Sequence, residues 1–577
     1  MAVLLQEEKL SGAVFSVIQS DTVQVFGRGL KNLNTGEQLT ASAKVHVGSV
    51  TKTILALGIL RMATENKLKL DDDVLQYLPA LPVNNPWASK NPITIRHLLD
   101  HTAGFSDLRI WHFFSSGASP DMPLEAFYSN QPEVLNVYSV PGTMFSYSNI
   151  GYTILGMVIE AIAKKRYEDY LDSILLKPLG MHESSFHFSS QIGPDANTEL
   201  AMGHFDNGEI APAMAIFLRP AGQFTTTGQD MGKLMKFLLD QGQINGAYFI
   251  RKDLIDQIGN QKNTIAAKGG LRVGYSLGAV ARDRHGVVGL AHSGNIIGFR
   301  AMLYLFPKAG KGFFVACNMD SETADYERLN SLLITILDLG LPVNTSRIKS
   351  QHEAPPEKLA GYYIPVLPKV EPFHLLERIT SFSKVSIKKE KFSITPFQKK
   401  EIQLKSVDNR LFIADGKQEY SHLFYENEKG DAFFTTGIQT LKKVSWSHIF
   451  LPLISLTMGV LCILFLLVSG TIQLIKHPSC FMQQAYSFLY FSIWLLLFGM
   501  VMAAVNGIIY LGDKNFATVI LYSGSIALPV GCLIAIVRYL LQPENACRKF
   551  DFYIVLMIAQ LCVLLGLNGI LPLATWS

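Results

Sequence analysis

The hydropathy of the chain rises sharply towards its C-terminal end. Four stretches there carry no charged residue, and each reaches the ~20 residues that a helix needs to cross the hydrocarbon core of a bilayer. Prolines inside these stretches are tolerated in a membrane helix bundle. We predict a transmembrane domain over residues 446–577, with four helices at about 449–475, 481–512, 515–537 and 552–577.

The N-terminal part of the chain mixes short strand patterns with helical ones. Valine-rich alternation predicts two strands within residues 13–29. Residues 54–62 are apolar almost all round, which predicts a helix enclosed by protein. A buried strand is expected at 287–291 and an amphipathic helix at 329–339. We place the first domain at residues 1–345.

A different pattern covers residues 350–445. Apolar and polar residues alternate at Val385, Ile387, Phe392 and Ile394, and turn signals separate the alternating runs. This pattern predicts a small antiparallel all-β domain. It carries no recognisable catalytic motif, so we expect it to act as a spacer or cover between the first domain and the membrane.

Composition narrows the choice of partners and compartments. A net charge of +4 over 577 residues forms no basic stripe, which argues against a nucleic-acid partner. Only Cys317 precedes the apolar C-terminal part, so the first two domains cannot form an internal disulfide, and the redox compartment stays open. The first nine residues have no basic region and no apolar stretch, unlike a signal peptide.

A hydroxyl and an amine lie three residues apart in Ser49-Val50-Thr51-Lys52, at the start of the first apolar helix. Positions i and i+3 share a helix face, so the amine of Lys52 reaches the hydroxyl of Ser49. Burial and the positive end of the helix both disfavour an ammonium ion. The lysine can therefore lose its proton near neutral pH and activate the serine. A serine here also fits an ordinary helix N-cap.

Two further motifs follow at wide spacing: Tyr147-Ser148-Asn149 precedes a helical pattern, and His292-Ser293-Gly294 follows a strand pattern. With Ser49-x-x-Lys52, this set resembles the serine β-lactamase and penicillin-binding-protein superfamily. The Tyr-x-Asn form is similar to the class C β-lactamase branch, which includes D-alanyl-D-alanine carboxypeptidases, D-aminopeptidases and some esterases. The likeness covers roughly residues 10–340.

The resemblance implies an α+β fold, with an antiparallel sheet flanked by helices, a helical lobe, and the site between them. It implies Ser49 as the nucleophile and Lys52 and Tyr147 as the proton-transfer pair, with Tyr147 the base for deacylation. Asn149 would orient Lys52 and the substrate amide, and the backbone amides of Ser49 and Asn295 would form the oxyanion hole. The implied substrate-binding and oxyanion set is Asn149, His292, Ser293, Gly294 and Asn295.

One position departs from the family pattern. The third motif usually begins with lysine, a fixed positive charge that suits a carboxylate, but here it begins with His292. Histidine is mostly neutral at pH 7 and can donate or accept a hydrogen bond. The departure favours a substrate that is uncharged near the cleaved bond, such as an internal amide or an ester.

From these features we predict a membrane-anchored serine hydrolase that forms an acyl-enzyme. Its expected substrates are peptide or D-amino-acid amide bonds outside the cytoplasm. An esterase or weak β-lactamase with the same residues is one alternative. A penicillin-binding sensor or scaffold with very slow turnover is another. Transport by the C-terminal helices is disfavoured, because their apolar spans contain no charged residue.

No metal ion or cofactor is predicted. His97 and His101 are four residues apart, but Leu98 stands where a zinc-binding helix carries glutamate. The expected partners are a small peptide, amide or ester substrate and the lipid bilayer, while the oligomeric state stays open. We expect a multi-pass cell-membrane protein with the hydrolase domain on the extracytoplasmic face, although flanking basic residues do not decide the orientation. The domain order also resembles, more weakly, the colibactin-maturing type of membrane peptidase.

Overall fold

The structure is a computed structural model that describes residues 1–339, 356–367, 373–388, 391–541 and 549–577. The strands of the first domain are β1 (Gly12–Gln19), β2 (Thr22–Asn32), β3 (Glu37–Gln38), β4 (Lys44–His46), β5 (Thr225–Thr227), β6 (Gln243–Ile244), β7 (Ala247–Tyr248), β8 (Tyr275–Ser276), β9 (Ala279–Arg284), β10 (Val287–Ile296), β11 (Phe299–Phe306) and β12 (Lys311–Cys317). Its helices are α1 (Ala2–Glu7), α2 (Thr51–Thr64), α3 (Ile95–Leu99), α4 (Asn149–Ala163), α5 (Tyr167–Leu171), α6 (Arg219–Gly222), α7 (Gly228–Leu239), α8 (Lys252–Ile255), α9 (Ile265–Lys268) and α10 (Tyr326–Leu337).

An eight-stranded antiparallel sheet organises the first domain, in the order β3-β2-β1-β12-β11-β10-β9-β8. One face buries Val14, Leu303 and Phe314 against the helical lobe that contains α2 and α4. The other face buries side chains such as Phe15 and Tyr304 against α1 and α10. Both faces are covered, so the strands are apolar on both sides, and the predicted α+β fold class is confirmed.

The strand predicted at 287–291 continues further than its sequence pattern indicates. β10 pairs with β9 only through residues 287–291, whereas its pairing with β11 runs on through residues 290–296. The polar residues of the third motif therefore lie where β10 has lost one neighbour. Because that edge faces a cleft instead of a core, its residues follow no hydrophobic alternation.

The predicted small β domain is a closed barrel. Its strands are β13 (Gly361–Pro365), β14 (Ser383–Lys388), β15 (Lys391–Pro396), β16 (Ile402–Ser406), β17 (Leu411–Ala414), β18 (His422–Glu426), β19 (Ala432–Thr435) and β20 (Thr440–Val444), and α11 (His374–Thr380) lies between the first two. Aromatic side chains such as Tyr363, Phe412 and Phe424 fill its interior. Closure removes the exposed strand edges that an open sheet of this size would present.

The helices of the C-terminal part are α12 (Ser447–Lys476), α13 (Pro478–Phe481), α14 (Ser487–Asn506), α15 (Phe516–Leu541) and α16 (Lys549–Leu567). Four of them are long and apolar enough to cross a membrane. Helix α14 is shorter than the predicted span 481–512, and α16 ends at Leu567 instead of residue 577. The other residues of these two predicted spans lie mainly in the connections. The predicted domain limits near 345 and 350 lie outside the described residues and stay predictions.

The barrel is fixed to the first domain through a buried carboxylate. Asp283 on β9 accepts hydrogen bonds from the backbone N–H groups of Gln418 at 2.7 Å and Glu419 at 2.8 Å. Beside it, Leu411 and Leu423 pack with Ala266 and Leu271 of the first domain. Charge-assisted bonds to buried backbone donors are strong, so Asp283 should hold the two domains together.

Replacing Asp283 by alanine should lower the free energy of unfolding of the full-length protein by about 1–3 kcal/mol, because two backbone donors lose their acceptor. Denaturant unfolding in detergent measures the change. Asp431→Ala, which removes a partly exposed carboxylate paired with Lys442, is the control and should cost under about 1 kcal/mol. Equal effects of the two substitutions would contradict the prediction.

Candidate active site

The serine and lysine of the first motif meet at the entrance to α2. Residues Gly48–Val50 form a single tight helical turn that leads directly into the helix. Lys52 lies one turn after Ser49 and is fully buried, and its Nζ is 2.9 Å from Ser49 Oγ. The predicted i to i+3 contact is therefore present in the structure.

Two carbonyl oxygens fix the orientation of the lysine amine. Lys52 Nζ donates to Asn149 Oδ1 at 2.6 Å and to the backbone oxygen of Ala221 at 2.6 Å. Both oxygens can only accept, so they occupy two of the amine hydrogens. In the neutral lysine the remaining position is a lone pair directed at Ser49, the geometry that a general base requires.

Burial changes the acid–base behaviour of this lysine. Desolvation lowers the pKa of Lys52 to about 7, and the negative charge of Asp107 opposes that effect. The neutral amine is therefore well populated at physiological pH.

Asp107 also holds the second motif. Its Oδ1 accepts from the backbone N–H of Asn149 at 2.9 Å and from the side-chain amide of the same residue at 2.6 Å. This fixes the amide so that its oxygen points to Lys52. Ser148 lies between Tyr147 and Asn149. Its hydroxyl accepts a hydrogen bond from the backbone N–H of Gly151 and caps α4.

Tyr147 completes the group around the serine. Its ring centroid lies 5.0 Å from Lys52 Nζ, and it lines the same cavity as Ser49. Desolvation first, and then the charge of Asp107, raise the pKa of Tyr147 above its ordinary value. The phenol therefore keeps its proton at neutral pH, and a free phenolate is disfavoured as a base.

His292 is neutral in this environment. Its Nδ1 lies 2.7 Å from the backbone oxygen of Ser293, which can only accept, so Nδ1 carries the hydrogen. Nε2 then accepts from the hydroxyl of Tyr275 at 2.9 Å. Burial, followed by the nearby charge of Lys52, lowers the pKa of His292 to about 3. The strand edge thus lacks the fixed positive charge that a lysine would bring.

Two glycines allow the serine turn and β10 to touch. A Cβ on Gly48 would lie 2.7 Å from the backbone nitrogen of Asn295, and one on Gly294 would overlap the carbonyl oxygen of Val47. Gly48 also has a positive φ of 52°, which side chains rarely adopt. These glycines bring the backbones of Ser49 and Asn295 together.

A cavity of about 380 Å³ opens over these groups. Its lining includes Ser49, Tyr147, His292, Ser293, Gly294 and Asn295. Among the described residues that line it, the only arginine or lysine is Arg300. Its guanidinium is bound to Asp320 at 2.6 Å and to Glu322 at 3.0 Å.

A smaller cavity of about 150 Å³ lies on the barrel side of Tyr147. Barrel-domain residues Glu377, Ile438 and Thr440 form part of its wall. The barrel domain and the hydrolase domain therefore share this second cavity, and the expected role of the barrel as a spacer or cover stays a prediction.

The structure brings together every residue of the predicted site set. The sequence reading missed Asp107, Tyr275 and the carbonyl of Ala221. Asp107 lies 40 residues before Tyr147 and outside every motif, so no pattern in the sequence connects it with the site. A backbone carbonyl such as that of Ala221 leaves no signal in a sequence.

The domain is α+β, and its buried lysine lies beside a serine at the entrance to a helix. A Tyr-x-Asn turn and a strand edge face that pair. This is the architecture of the serine hydrolases with a β-lactamase fold. The sequence model of the Beta-lactamase family matches residues 1–336, which is more than half of the chain. The chain belongs to this family, and the predicted resemblance is confirmed. Family members are serine hydrolases.

Two similar proteins share parts of the chain. Protein flp of Staphylococcus aureus (strain N315) is 26% identical over 349 residues, covering 57% of this chain and 64% of the relative. Penicillin-binding protein 4* of Bacillus subtilis (strain 168) is 26% identical over 201 residues, 34% of this chain and 43% of that protein. The chain thus spans less than two thirds of either relative.

Among solved structures, SurE with D-Leu is similar, with a TM-score of 0.51 and 22% identity. The similarity covers 77% of this chain and 97% of SurE, which is more than residues 1–336 alone. SurE therefore shares the fold beyond the family-matched domain.

Replacing Asp107 by asparagine should lower the pKa of Lys52 further, because a charge that favours the ammonium is removed while an acceptor for Asn149 remains. The rate at which a fluorophosphonate phosphonylates Ser49, with loss of fluoride, should then reach half its maximum at a lower pH than in the wild type. Asp121→Asn, at an exposed carboxylate paired with Arg166, is the control and should leave the profile in place. A midpoint that rises or does not move would contradict the prediction.

Proposed function

We propose that this protein is a serine hydrolase that cleaves uncharged amide or ester substrates through an acyl-enzyme on Ser49. The observation that carries the proposal is the buried Lys52 amine, which lies 2.9 Å from the hydroxyl of Ser49. Its two hydrogens in the neutral form are donated to Asn149 Oδ1 and the carbonyl of Ala221. This arrangement activates a hydroxyl nucleophile at neutral pH.

In the first half of the reaction, neutral Lys52 takes the proton of Ser49 as Oγ attacks the substrate carbonyl carbon. Backbone N–H groups of Ser49 and Asn295 stabilise the oxyanion, a contribution typically worth ~10²–10³ in rate. The bond to the leaving group then breaks. The leaving nitrogen or oxygen receives a proton from the Lys52 ammonium by way of the Tyr147 hydroxyl, which gives one proton and takes another.

In the second half, a water molecule attacks the acyl ester while Lys52 accepts its proton. Ser49 Oγ leaves and recovers that proton, which regenerates the enzyme. We assign this step to Lys52 instead of Tyr147, because the raised pKa of Tyr147 disfavours the phenolate. This revises the role that the family resemblance implied for the tyrosine.

The substrate is proposed to be uncharged beside the cleaved bond. Neutral His292 and the ion-paired Arg300 leave little to attract a carboxylate there. Peptide or D-amino-acid amides are the first candidates, and the similar structure of SurE contains D-leucine. Esters and, more weakly, β-lactams are the alternatives.

A slowly deacylating penicillin-binding sensor is the second candidate function. The same high pKa of Tyr147 favours it, because the acyl-enzyme would lose one of its two candidate bases. In either case we propose that the four apolar helices anchor the protein in a membrane with the hydrolase domain outside the cytoplasm. Protease accessibility on intact cells tests this orientation.

Ser49→Ala should abolish covalent labelling by a fluorophosphonate, and Lys52→Met should lower kcat by about 10²–10⁴-fold because the base is lost. In the wild type, the acylation rate should rise with pH and reach half its maximum near pH 7, since only the neutral lysine accepts the proton. Stopped-flow labelling and turnover of D- and L-amino-acid amides, esters and β-lactams measure these quantities. Lys67→Met is the control. Undiminished turnover in Ser49→Ala would refute the mechanism, and labelling without turnover would favour the sensor.

Replacing His292 by lysine should raise the preference for carboxylate-bearing substrates over neutral esters by about tenfold, because one favourable charge interaction of ~1.4 kcal/mol is worth that factor. The ratio of kcat/KM for a penicillin to that for a neutral ester is the measurement. Tyr275→Phe, which removes the hydrogen bond to the imidazole without adding charge, should leave the ratio unchanged. An unchanged ratio in the lysine variant would show that this strand position does not select the substrate's charge.

A further inference from the structure

A carboxylate between two of the C-terminal helices is bound to the hydrolase domain. Asp513, in the loop between α14 and α15, accepts from Ser115 Oγ at 2.5 Å, from Ser116 Oγ at 2.6 Å and from the backbone N–H of Ser116 at 3.0 Å. Three donors from two adjacent residues converge on one side chain. An arrangement of this kind fixes both segments more firmly than a single surface ion pair would.

The surrounding contacts show that the two segments fit closely. The N–H of Gly512 donates to the backbone oxygen of Phe114 at 2.6 Å, and a Cβ on Gly512 would lie 2.6 Å from the same oxygen. A second attachment lies nearby, where the side chain of Gln131 donates to the backbone oxygen of Trp576 at 3.0 Å. We call residues 109–117 the docking segment and residues 508–514 the docking loop.

The docking segment leads along the chain to Asp107. Only Leu108 separates the segment from this carboxylate, which holds the Asn149 side chain and thereby one of the two carbonyl acceptors of Lys52. A displaced docking segment would therefore displace Asp107.

The docking segment also packs against the residues that lead to the other acceptor. The backbone N–H of Phe217 donates to the oxygen of His112 at 3.1 Å, and the ring of Phe217 lies 4.8 Å from that of Trp111 in an edge-on contact. Phe217 lies two residues before the start of α6, and Ala221 on α6 provides the second carbonyl to Lys52. Both acceptors of the lysine thus depend on chain that borders the docking segment.

We propose that the docking loop of the helix bundle, through Asp513, is a positioning element of the hydrolase site, and that it keeps Lys52 buried and aimed at Ser49. Asp513 touches no reacting atom and acts through the docking segment. The inference rests on the proposed function, since it concerns the base of that reaction. The sequence gives no hint of it, because Ser115 and Asp513 are 398 residues apart.

Loosening the docking segment should admit water to the lysine. The titratable groups that face Lys52 are Asp107, Tyr147, Tyr152, His101 and His292. None of them lies on the docking loop, so a change at Asp513 reaches the amine only through packing and hydration. Because burial is what lowers the pKa of Lys52, hydration raises that pKa and moves the acylation profile to higher pH.

The test uses the full-length protein in lipid nanodiscs and measures the rate of Ser49 labelling by a fluorophosphonate from pH 5 to 9.5. Asp513→Ala should move the half-maximal rate upwards by about one pH unit. This slows labelling at pH 7 about fivefold and leaves the rate at pH 9.5 nearly unchanged. Asp513→Asn should restore the wild-type profile, because its amide can accept from Ser115 and donate to Ser116. Asp431→Ala on the barrel is the control.

Each outcome decides the question. An upward shift in Asp513→Ala that Asp513→Asn reverses supports the positioning role. An unchanged profile, or a loss of rate that is equal at every pH, overturns it and leaves Asp513 a structural contact only. A Ser115→Ala/Ser116→Ala double variant should reproduce the shift if Asp513→Ala proves too unstable to purify. Absence of labelling in the wild type would instead overturn the proposed function.

Discussion

The site depends on one lysine, Lys52, that is buried away from water and held in one orientation towards Ser49. Outside protein, Lys52 would be protonated and mobile at neutral pH, and its amine could not act as a base. Helix α2 buries its stem, and two carbonyl oxygens hold its head in a single orientation. Asp107 fixes one of those oxygens and at the same time restrains the loss of the proton. The amine is consequently poised between its charged and neutral forms.

Much of this arrangement was accessible from the sequence, because local geometry determines it. The three-residue spacing of Ser49 and Lys52 predicts their contact on a helix, and the apolar run that follows predicts the burial. The fold class could also be predicted, since the strand and helix patterns and the family motifs agreed over most of the first domain. The four apolar stretches at the C-terminal end likewise predicted four long helices.

The remaining features depend on long-range contacts that leave no periodic signal. Asp107 and Tyr275 act only because the fold brings their segments to the motifs, from 42 residues before Asn149 and 17 before His292. β10 extends past its predicted end because it stays paired with β11, and its polar residues there face a cleft and so give no hydrophobic signal. The closure of the β domain into a barrel followed from strand pairing and not from the alternation within any single strand.

The attachments of the hydrolase domain to the helix bundle limit where the cleft can work. The barrel enters α12 directly, the loop after α14 meets the domain at Asp513, and the segment after α16 meets it again at Trp576. These connections come from three different parts of the chain, so the hydrolase domain and the barrel cannot swing as they would on one flexible tether. With the four helices anchored in a bilayer as proposed, this restraint would keep the cleft close to the lipid surface and limit it to substrates that reach that layer.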